Sequence, residues 1–337
     1  MFQYKIEITN RDGSLKWVLP YESGSVTLVH NAICTAQVNI SYAYLEKSLT
    51  AQGIDILTFF KGGVKLAYFY EDDVLIFGGF ITQASIQNQG NSDTLTIDFK
   101  SWLAYFENVF YTGTFTDIDG GLIAWDVIND LNEIAITQGT ITPSKIRTRP
   151  YTDESVAKIL PALSGDNLID GFDFKISPQK VLTVAPSIGS VLPNAIFRLS
   201  NTNTYKLDIP LFGSVINKGK LYGGNVDGVQ VLGNYDAGVI YQNDWFTQTE
   251  IIEDISLTEQ DTVDDRIQKE IETNKLPVDI FSCTVQNSLP SPSSKTYGTG
   301  DTVTVKLDNF DVILAKRIKQ KKINFGSDQN VELEFYK

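Results

Sequence analysis

Histidine occurs once in this 337-residue chain, at His30, and that alone narrows the chemistry available to it. A Ser-His-Asp arrangement would have to be built on His30 itself, which sits in an alternating strand-like run. The chain has no Gly-x-Ser-x-Gly elbow, no His-Glu-x-x-His helix and no cysteine pair at metal-ligand spacing. Its two cysteines, Cys34 and Cys283, lie far apart within alternating runs and read as buried or half-buried free thiols. Carboxylates are abundant, 41 Asp and Glu against 28 Lys and Arg, so pairs of the kind that cleave glycosidic bonds exist in number. None of them stands apart from a turn or a helix start. Glu71-Asp72-Asp73 lies between two apolar runs and reads as a hairpin tip. Asp117 and Asp119 have the opening spacing of a calcium loop, but its fifth and twelfth positions fall on Gly121 and Ile128, which carry no side-chain oxygen. The glycine-rich stretch 219–238 lacks both Gly-x-Gly-x-x-Gly and a following Lys-Ser or Lys-Thr, and reads as hairpin loops. No enzyme activity, cofactor or metal site is expected.

The strongest basic cluster is Lys316, Arg317, Lys319, Lys321 and Lys322. On a strand, Arg317, Lys319 and Lys321 share one face and Lys316 and Lys322 the other. Two readings stand side by side: a solvated edge strand whose cations discourage edge-to-edge pairing, or a contact with an acidic neighbouring subunit. The net charge of −13 argues against a nucleic-acid grip, which needs clustered cations. It is compatible with an acidic wall past which DNA slides without specific binding.

These residues are carried mainly by strands. The composition, 42% hydrophobic and 20% charged with 15 Tyr, 19 Phe and 25 Gly, is that of a globular, strand-rich chain long enough for two or three domains. The first hundred residues read as an almost unbroken series of strands: Tyr4 to Ile8, Leu15 to Leu19, Val26 to His30, Ala36 to Tyr42, Ile56 to Phe60, Lys65 to Tyr70, Val74 to Phe80 and Thr94 to Phe99. A helix is expected over 122–131, where Ile123, Val127 and Leu131 make a stripe and Asp117 or Asp119 supplies the N-cap. A second helix follows from Thr152, with Val156, Ile159, Leu160 and Leu163 on one face, Pro161 weakening it and Gly165 beyond its end. Phe172 to Ile176 and Lys180 to Val184 read as a hairpin. A third helix, about 259–274, carries Val263, Ile267 and Ile271 on one face and acidic residues in its first turn. The chain closes with a turn, Tyr297-Gly298-Thr299-Gly300-Asp301, and three alternating runs, Thr302 to Leu307, Val312 to Ile318 and Val331 to Phe335. Met1 to Glu7 has no basic and apolar leader pattern, and the apolar stretches fall far short of the roughly 20 residues a membrane helix needs.

The closing turn and meander, together with Val74-Leu75-Ile76-Phe77-Gly78-Gly79-Phe80-Ile81 and Leu95 to Ser101, resemble the hub proteins at the tail tip of long-tailed bacteriophages. The stretch Ser214 to Gly224, where Asn217 precedes a strand ending in glycine, adds to that likeness. The resemblance implies a mainly β fold with an α+β insertion: a tube-like β-barrel domain over 1–110, a helix-containing α/β insertion over 111–205, and a second tube-like barrel over 206–337 carrying the 259–274 helix. It implies a homotrimer whose six barrels adapt a sixfold tail tube to a threefold tip and close or gate the DNA channel. Expected partners are the distal tail protein or tube ring, the tape-measure protein and a tip fibre or spike. The expected location is the virion, after assembly in the host cytoplasm. The chain ends just after the last strand, so the peptidase or lysozyme module of some hub relatives is not expected. The alternatives are a distal tail protein forming a hexameric ring, and a carbohydrate-binding receptor module suggested by Trp17, Trp102, Trp125 and Trp245.

Overall fold

The computed structural model describes residues 2–14, 16–51, 53–60, 65–89, 92–165, 171–198, 204–208, 216–238, 247–255, 257–274, 282–286, 293–307, 312–327 and 329–336. The first part holds strands β1 (Tyr4–Asn10), β2 (Lys16–Val18), β3 (Ser23–Val29), β4 (Thr35–Ser41), β5 (Lys65–Glu71), β6 (Val74–Gln89) and β7 (Ser92–Ser101), with helices α1 (Tyr42–Thr50) and α2 (Ile56–Phe59) between β4 and β5. Alternation sets the faces: Ile6 and Ile8 of β1 and Val38 and Ile40 of β4 are buried, as the period-two pattern requires. The hairpin tip between β5 and β6 is a turn in which Asp72 and Asp73 both adopt positive φ, 43° and 66°.

A 3₁₀ segment, Trp102–Asn108, leads into the insertion: β8 (Phe110–Asp119), α3 (Gly120–Asp130), β9 (Thr137–Ile141), β10 (Ile146–Ser155), α4 (Val156–Ser164), β11 (Asp173–Ile176) and β12 (Val181–Ala185). Asp119 caps α3, its carboxylate accepting from the backbone N–H groups of Gly121 and Leu122. Gly165 ends α4 in the left-handed region at φ 81°, where a glycine carries no Cβ penalty. The last part comprises β13 (Val191–Phe197), β14 (Thr204–Asp208), β15 (Lys218–Val226), β16 (Val229–Asp236), β17 (Thr249–Glu253), α5 (Gln260–Asn274), β18 (Ser282–Gln286), β19 (Thr302–Leu307), β20 (Val312–Phe325) and β21 (Asn330–Phe335).

Thirteen of these strands form one sheet, in the order β14-β18-β21-β20-β3-β4-β7-β6-β5-β1-β2, with β19 joined to β20 and β13 to β19. The two ends of the chain therefore share a single sheet. Its seam is the antiparallel pair β20 and β3, from Gln320 opposite Val29 to Phe325 opposite Gly24. Phe325 plugs the seam, stacking on Tyr4 at 4.9 Å between ring centroids and meeting Tyr21 edge-on at 5.1 Å. Gly24 makes room for it, since a Cβ there would lie 2.6 Å from the Phe325 ring. One core serves both ends, with Ile6, Val38, Ile97 and Phe99 packed in the same cluster as Phe197, Val285, Ile323 and Leu333. The insertion has its own core around Ile123, Val127, Ile159, Leu160, Phe174 and Val184. A third and smaller one forms where α5 lays Val263, Ile267 and Ile271 over Leu221.

The fold is mainly β with a helix-bearing insertion, as expected, and differs from the sequence reading in four places. Tyr42, read as the end of a strand, instead opens a helix, Tyr42–Thr50, in which Leu45 and Leu49, one turn apart, are fully buried. Ile56–Phe59 is a helical turn, because a short apolar run has no period that separates strand from helix. Thr152 to Ser155 belongs to β10, and the helix begins at Val156. Finally, β15, β16 and β17, within the expected second barrel, form a separate sheet, β16-β15-β17, backed by α5, while β14 and β18 to β21 join the long sheet.

Candidate functional site

The insertion is fastened to the long sheet by a cluster of buried polar side chains that converge from distant parts of the sequence. β11 opens with Asp173, whose carboxylate is 8% exposed and receives four partners. The Arg317 guanidinium of β20 pairs with Oδ2, the Ile188 N–H donates to it at 2.6 Å, and His30 Nε2 stands 3.4 Å away. Asn31 Nδ2 donates to Oδ1 at 3.1 Å, and the same amide's oxygen accepts from the Phe174 N–H, so both ends of the Asn31 amide hold the start of β11. Burial opposes the charge on Asp173, but the hydrogen bonds from His30 and Ile188 and the charge on His30, with Arg317 adding to them, outweigh it and hold the carboxyl well below the usual carboxylate range.

His30 lies just past the end of β3, and both its ring nitrogens are occupied, Nδ1 lying 2.8 Å from the Tyr336 hydroxyl. Arg317 reaches further, donating to the carbonyls of Gly300 at 3.0 Å and Ile188 at 3.2 Å. The closing turn supplies the remaining link. Gly300, at φ 89°, approaches so closely that a Cβ would sit 2.2 Å from the Ile188 carbonyl oxygen. Asp301 accepts from the N–H of Ser190 at 2.7 Å with one oxygen and from Gly298 at 2.7 Å with the other. The Gly-Asp turn thus grips the strand that leaves the insertion.

A second buried cluster lies within the sheet. Glu71, 1% exposed, accepts from the hydroxyls of Tyr4 and Ser294, both at 2.8 Å. Lys321 donates to the carbonyls of Ser294 at 2.5 Å and Tyr297 at 3.0 Å, with its amine 4.9 Å from the centre of the Tyr297 ring. Burial pushes the Lys321 amine down to about 8, and the negative charges of Glu71 and Asp301 offset only part of that. Burial likewise raises the Tyr297 hydroxyl and the Cys283 thiol above their ordinary ranges.

The three basic residues expected on one face do not share it. A bulge between Ile318 and Gln320 inserts an extra residue and reverses the alternation, so Arg317 and Lys319 point away from the core while Lys321 points into it. The outward cations are neutralised within the chain: Lys319 pairs with Glu334 at 3.1 Å and Lys322 with Glu332 at 3.3 Å, both across the β20 and β21 ladder. Glu71, read as a turn residue, is instead a buried acceptor; the alternating strand before it carried the only hint. The pairing of Asp173 with Arg317 and His30 had no sequence signal, since these residues come from three separate segments.

Cys34 and Cys283 are free thiols. Trp102 is a core residue whose indole donates to the Pro178 carbonyl at 3.0 Å, and Trp17 packs edge-on against Phe59. Trp245 lies outside the described residues. Among the described residues no group of three or more His, Cys, Asp or Glu side chains is placed to hold a metal ion, and no helix is long and apolar enough to cross a membrane.

No protein-family model matches the chain, and no curated protein matches it by sequence. Solved structures do match its fold. A prophage MuSo2 43 kDa tail protein from Shewanella oneidensis superposes with a TM-score of 0.70 at 10% identity, over 99% of this chain and 98% of that one. A tail protein from Neisseria meningitidis MC58 gives 0.67 at 11% identity, over 99% and 96%. A prophage tail protein, gp18, from Listeria monocytogenes gives 0.59 at 13% identity, over 98% and 94%. A type VI secretion component of E. coli, described as similar to T4 tail proteins gp27 and gp5, gives 0.57 at 9% identity, over 99% of this chain and 76% of its own. The chain has the fold of these tail proteins.

Proposed function

We propose, with that shared fold as premise, that the chain is a structural hub protein at the tip of a phage tail, located in the virion. The observation that carries this reading is the extent of the match: the alignment spans nearly the whole of this chain and nearly the whole of three tail proteins. The matched chains of three further solved structures, Francisella PdpA-VgrG complexes among them, are covered over only 52 to 65% of their length, which favours the phage tail proteins as the better likeness.

The buried clusters suit a mechanical role. Asp173, Arg317, His30 and Asp301 fasten the insertion to the sheet, and Glu71 and Lys321 tie its two ends together, which stiffens a body that must bear load without doing chemistry. In the proposed assembly three chains form a ring that adapts a sixfold tube to a threefold tip and closes or gates the DNA channel. The ring binds a distal tail protein or tube ring on one side and a tip fibre or spike on the other, with the tape-measure protein ending inside. DNA passes through an acidic lumen without specific contacts, consistent with the net charge of −13. Of the basic strand, Lys319, half-exposed and paired with Glu334, is the residue open to an acidic neighbouring subunit, while Arg317 is committed to Asp173 and Lys321 is buried.

Class averages of the purified protein by electron microscopy test the reading. A threefold ring supports it, and a sixfold ring assigns the chain to the distal tail position instead. A chain that stays monomeric and is missing from purified tails overturns it.

A further inference from the structure

The core of the long sheet and the core of the insertion do not meet everywhere. Between them lies a cavity of about 230 Å³, with Leu28, Leu75 and Phe77 of the sheet on one side and Leu103, Phe174 and Ile176 facing them. It is partly open to solvent, a pocket at the joint of the two cores rather than a sealed void. Its volume is sufficient for a guest larger than benzene, which fills an engineered apolar cavity of about 150 Å³.

The polar side chains on its wall have little to offer a guest. His30 holds Tyr336 and Asp173, and Asn31 holds Asp173 and the Phe174 N–H. The Ser101 hydroxyl accepts from the Cys34 N–H at 3.0 Å, and the Cys34 sulfur accepts from the Val29 N–H at 3.3 Å. Burial raises the Cys34 thiol, which keeps it uncharged. Lys175 and Thr299 also line the cavity, Lys175 being exposed and Thr299 half-buried. Apart from Lys175, Thr299 and the Ser101 O–H, these wall side chains are already engaged with the protein, whereas an apolar ring or branched aliphatic group would gain dispersion contacts with Leu28, Leu75, Phe77, Leu103, Phe174 and Ile176.

We propose that this cavity is a binding site for one uncharged apolar group of about phenyl to indole size, seated at the joint between sheet and insertion. A free small molecule and an apolar side chain of an adjoining tail subunit have the same chemistry here. The proposal itself stands on the cavity and does not depend on the tail reading.

Indole is the probe. Titrated into the full chain and followed by calorimetry and thermal unfolding, it should bind at about one per chain with Kd below about 1 mM and raise Tm. Cys34→Phe and Ile176→Phe should each fill the space and weaken indole binding at least tenfold, the second variant serving if the first does not fold. Absence of saturable binding, or unchanged binding in a folded filled variant, overturns the site. Organic extraction of the purified protein then separates the sources. A stoichiometric apolar compound assigns a free molecule, and failure of the filled variant to enter tails, with no compound extracted, assigns a neighbour's side chain. A variant that assembles normally with no extracted compound overturns any use of the site in the virion.

Discussion

Replacing Asp173 with alanine removes one carboxylate and disconnects four groups at once. The Ile188 N–H and the Asn31 amide lose their acceptor, the Arg317 guanidinium loses its counter-charge, and the His30 ring loses a polar neighbour. Breaking a buried ion pair by removing one partner costs about 3–5 kcal/mol. Arg317 keeps the carbonyls of Gly300 and Ile188, so about 3 kcal/mol is the expected loss. The pH dependence provides the sharper check. Asp173 is held below its ordinary range in the folded chain, so its contribution is complete above the unfolded value of about 3.9 and is lost as pH falls toward the folded value. The slope is up to about 1.4 kcal/mol per pH unit. Urea unfolding of wild type and Asp173→Ala should therefore differ most at pH 6–7, with the gap narrowing by about 1 kcal/mol between pH 4 and pH 3. A gap under about 0.5 kcal/mol at pH 7, within the range of an ordinary surface change, or one that does not narrow in acid, would refute the fastening role given to this residue.

Lys321→Met should flatten a different part of the pH profile. The folded amine lies near 8 and the unfolded one about 10.4, so between those values the unfolded chain binds more protons at this group and the contribution of Lys321 to stability rises with pH. Denaturant titrations between pH 8 and 9 should show the difference between wild type and variant shifting in favour of wild type as pH rises, since the opposing titrations of Cys34 and Cys283 are common to both. Gly300→Ala should cost about 1–3 kcal/mol through the positive φ alone, with the clash against the Ile188 carbonyl adding to it; an unchanged Tm would contradict the turn geometry. Lys319→Gln with Lys322→Gln removes two exposed cross-strand pairs, each worth about 0.2–1 kcal/mol. The double variant should fold normally, and if ring assembly is also unaffected then Lys319 makes no subunit contact. Phe325→Ala should cost about 3–5 kcal/mol by emptying the seam between β3 and β20; a loss below about 1 kcal/mol would mean that the seam does not depend on that ring.

Much of the fold was legible in the residues. Period-two alternation marked the strands around Ile6, Val38, Ile97 and Val303, and the stripes of Ile123 and Val127 and of Val263, Ile267 and Ile271 marked two helices. The Asp72-Asp73 turn and the Asp119 cap were readable for the same reason, because both are local contests between a side chain and its own backbone. Short elements were less readable. Leu45 and Leu49 give too little period to outweigh a preceding strand, and Ile56 to Phe59 gives none.

What local pattern could not decide was every relation across distance. Alternation assigns a residue to a face but not a strand to its neighbour, so nothing in the chain announced that β20 would pair with β3 and merge the two ends into one sheet. A single extra residue after Ile318 inverted the faces of the basic strand, turning Lys321 from a surface cation into a buried one. Asp173, His30 and Arg317 are ordinary polar residues until the sheet and the insertion close around them and exclude the water that would otherwise satisfy each one separately. By itself the sequence determined the elements and their faces, because these follow from steric and hydrophobic periodicity along the chain. Only the tertiary structure decided pairing, burial of charge and the cavity between the two cores, because these depend on which surfaces meet.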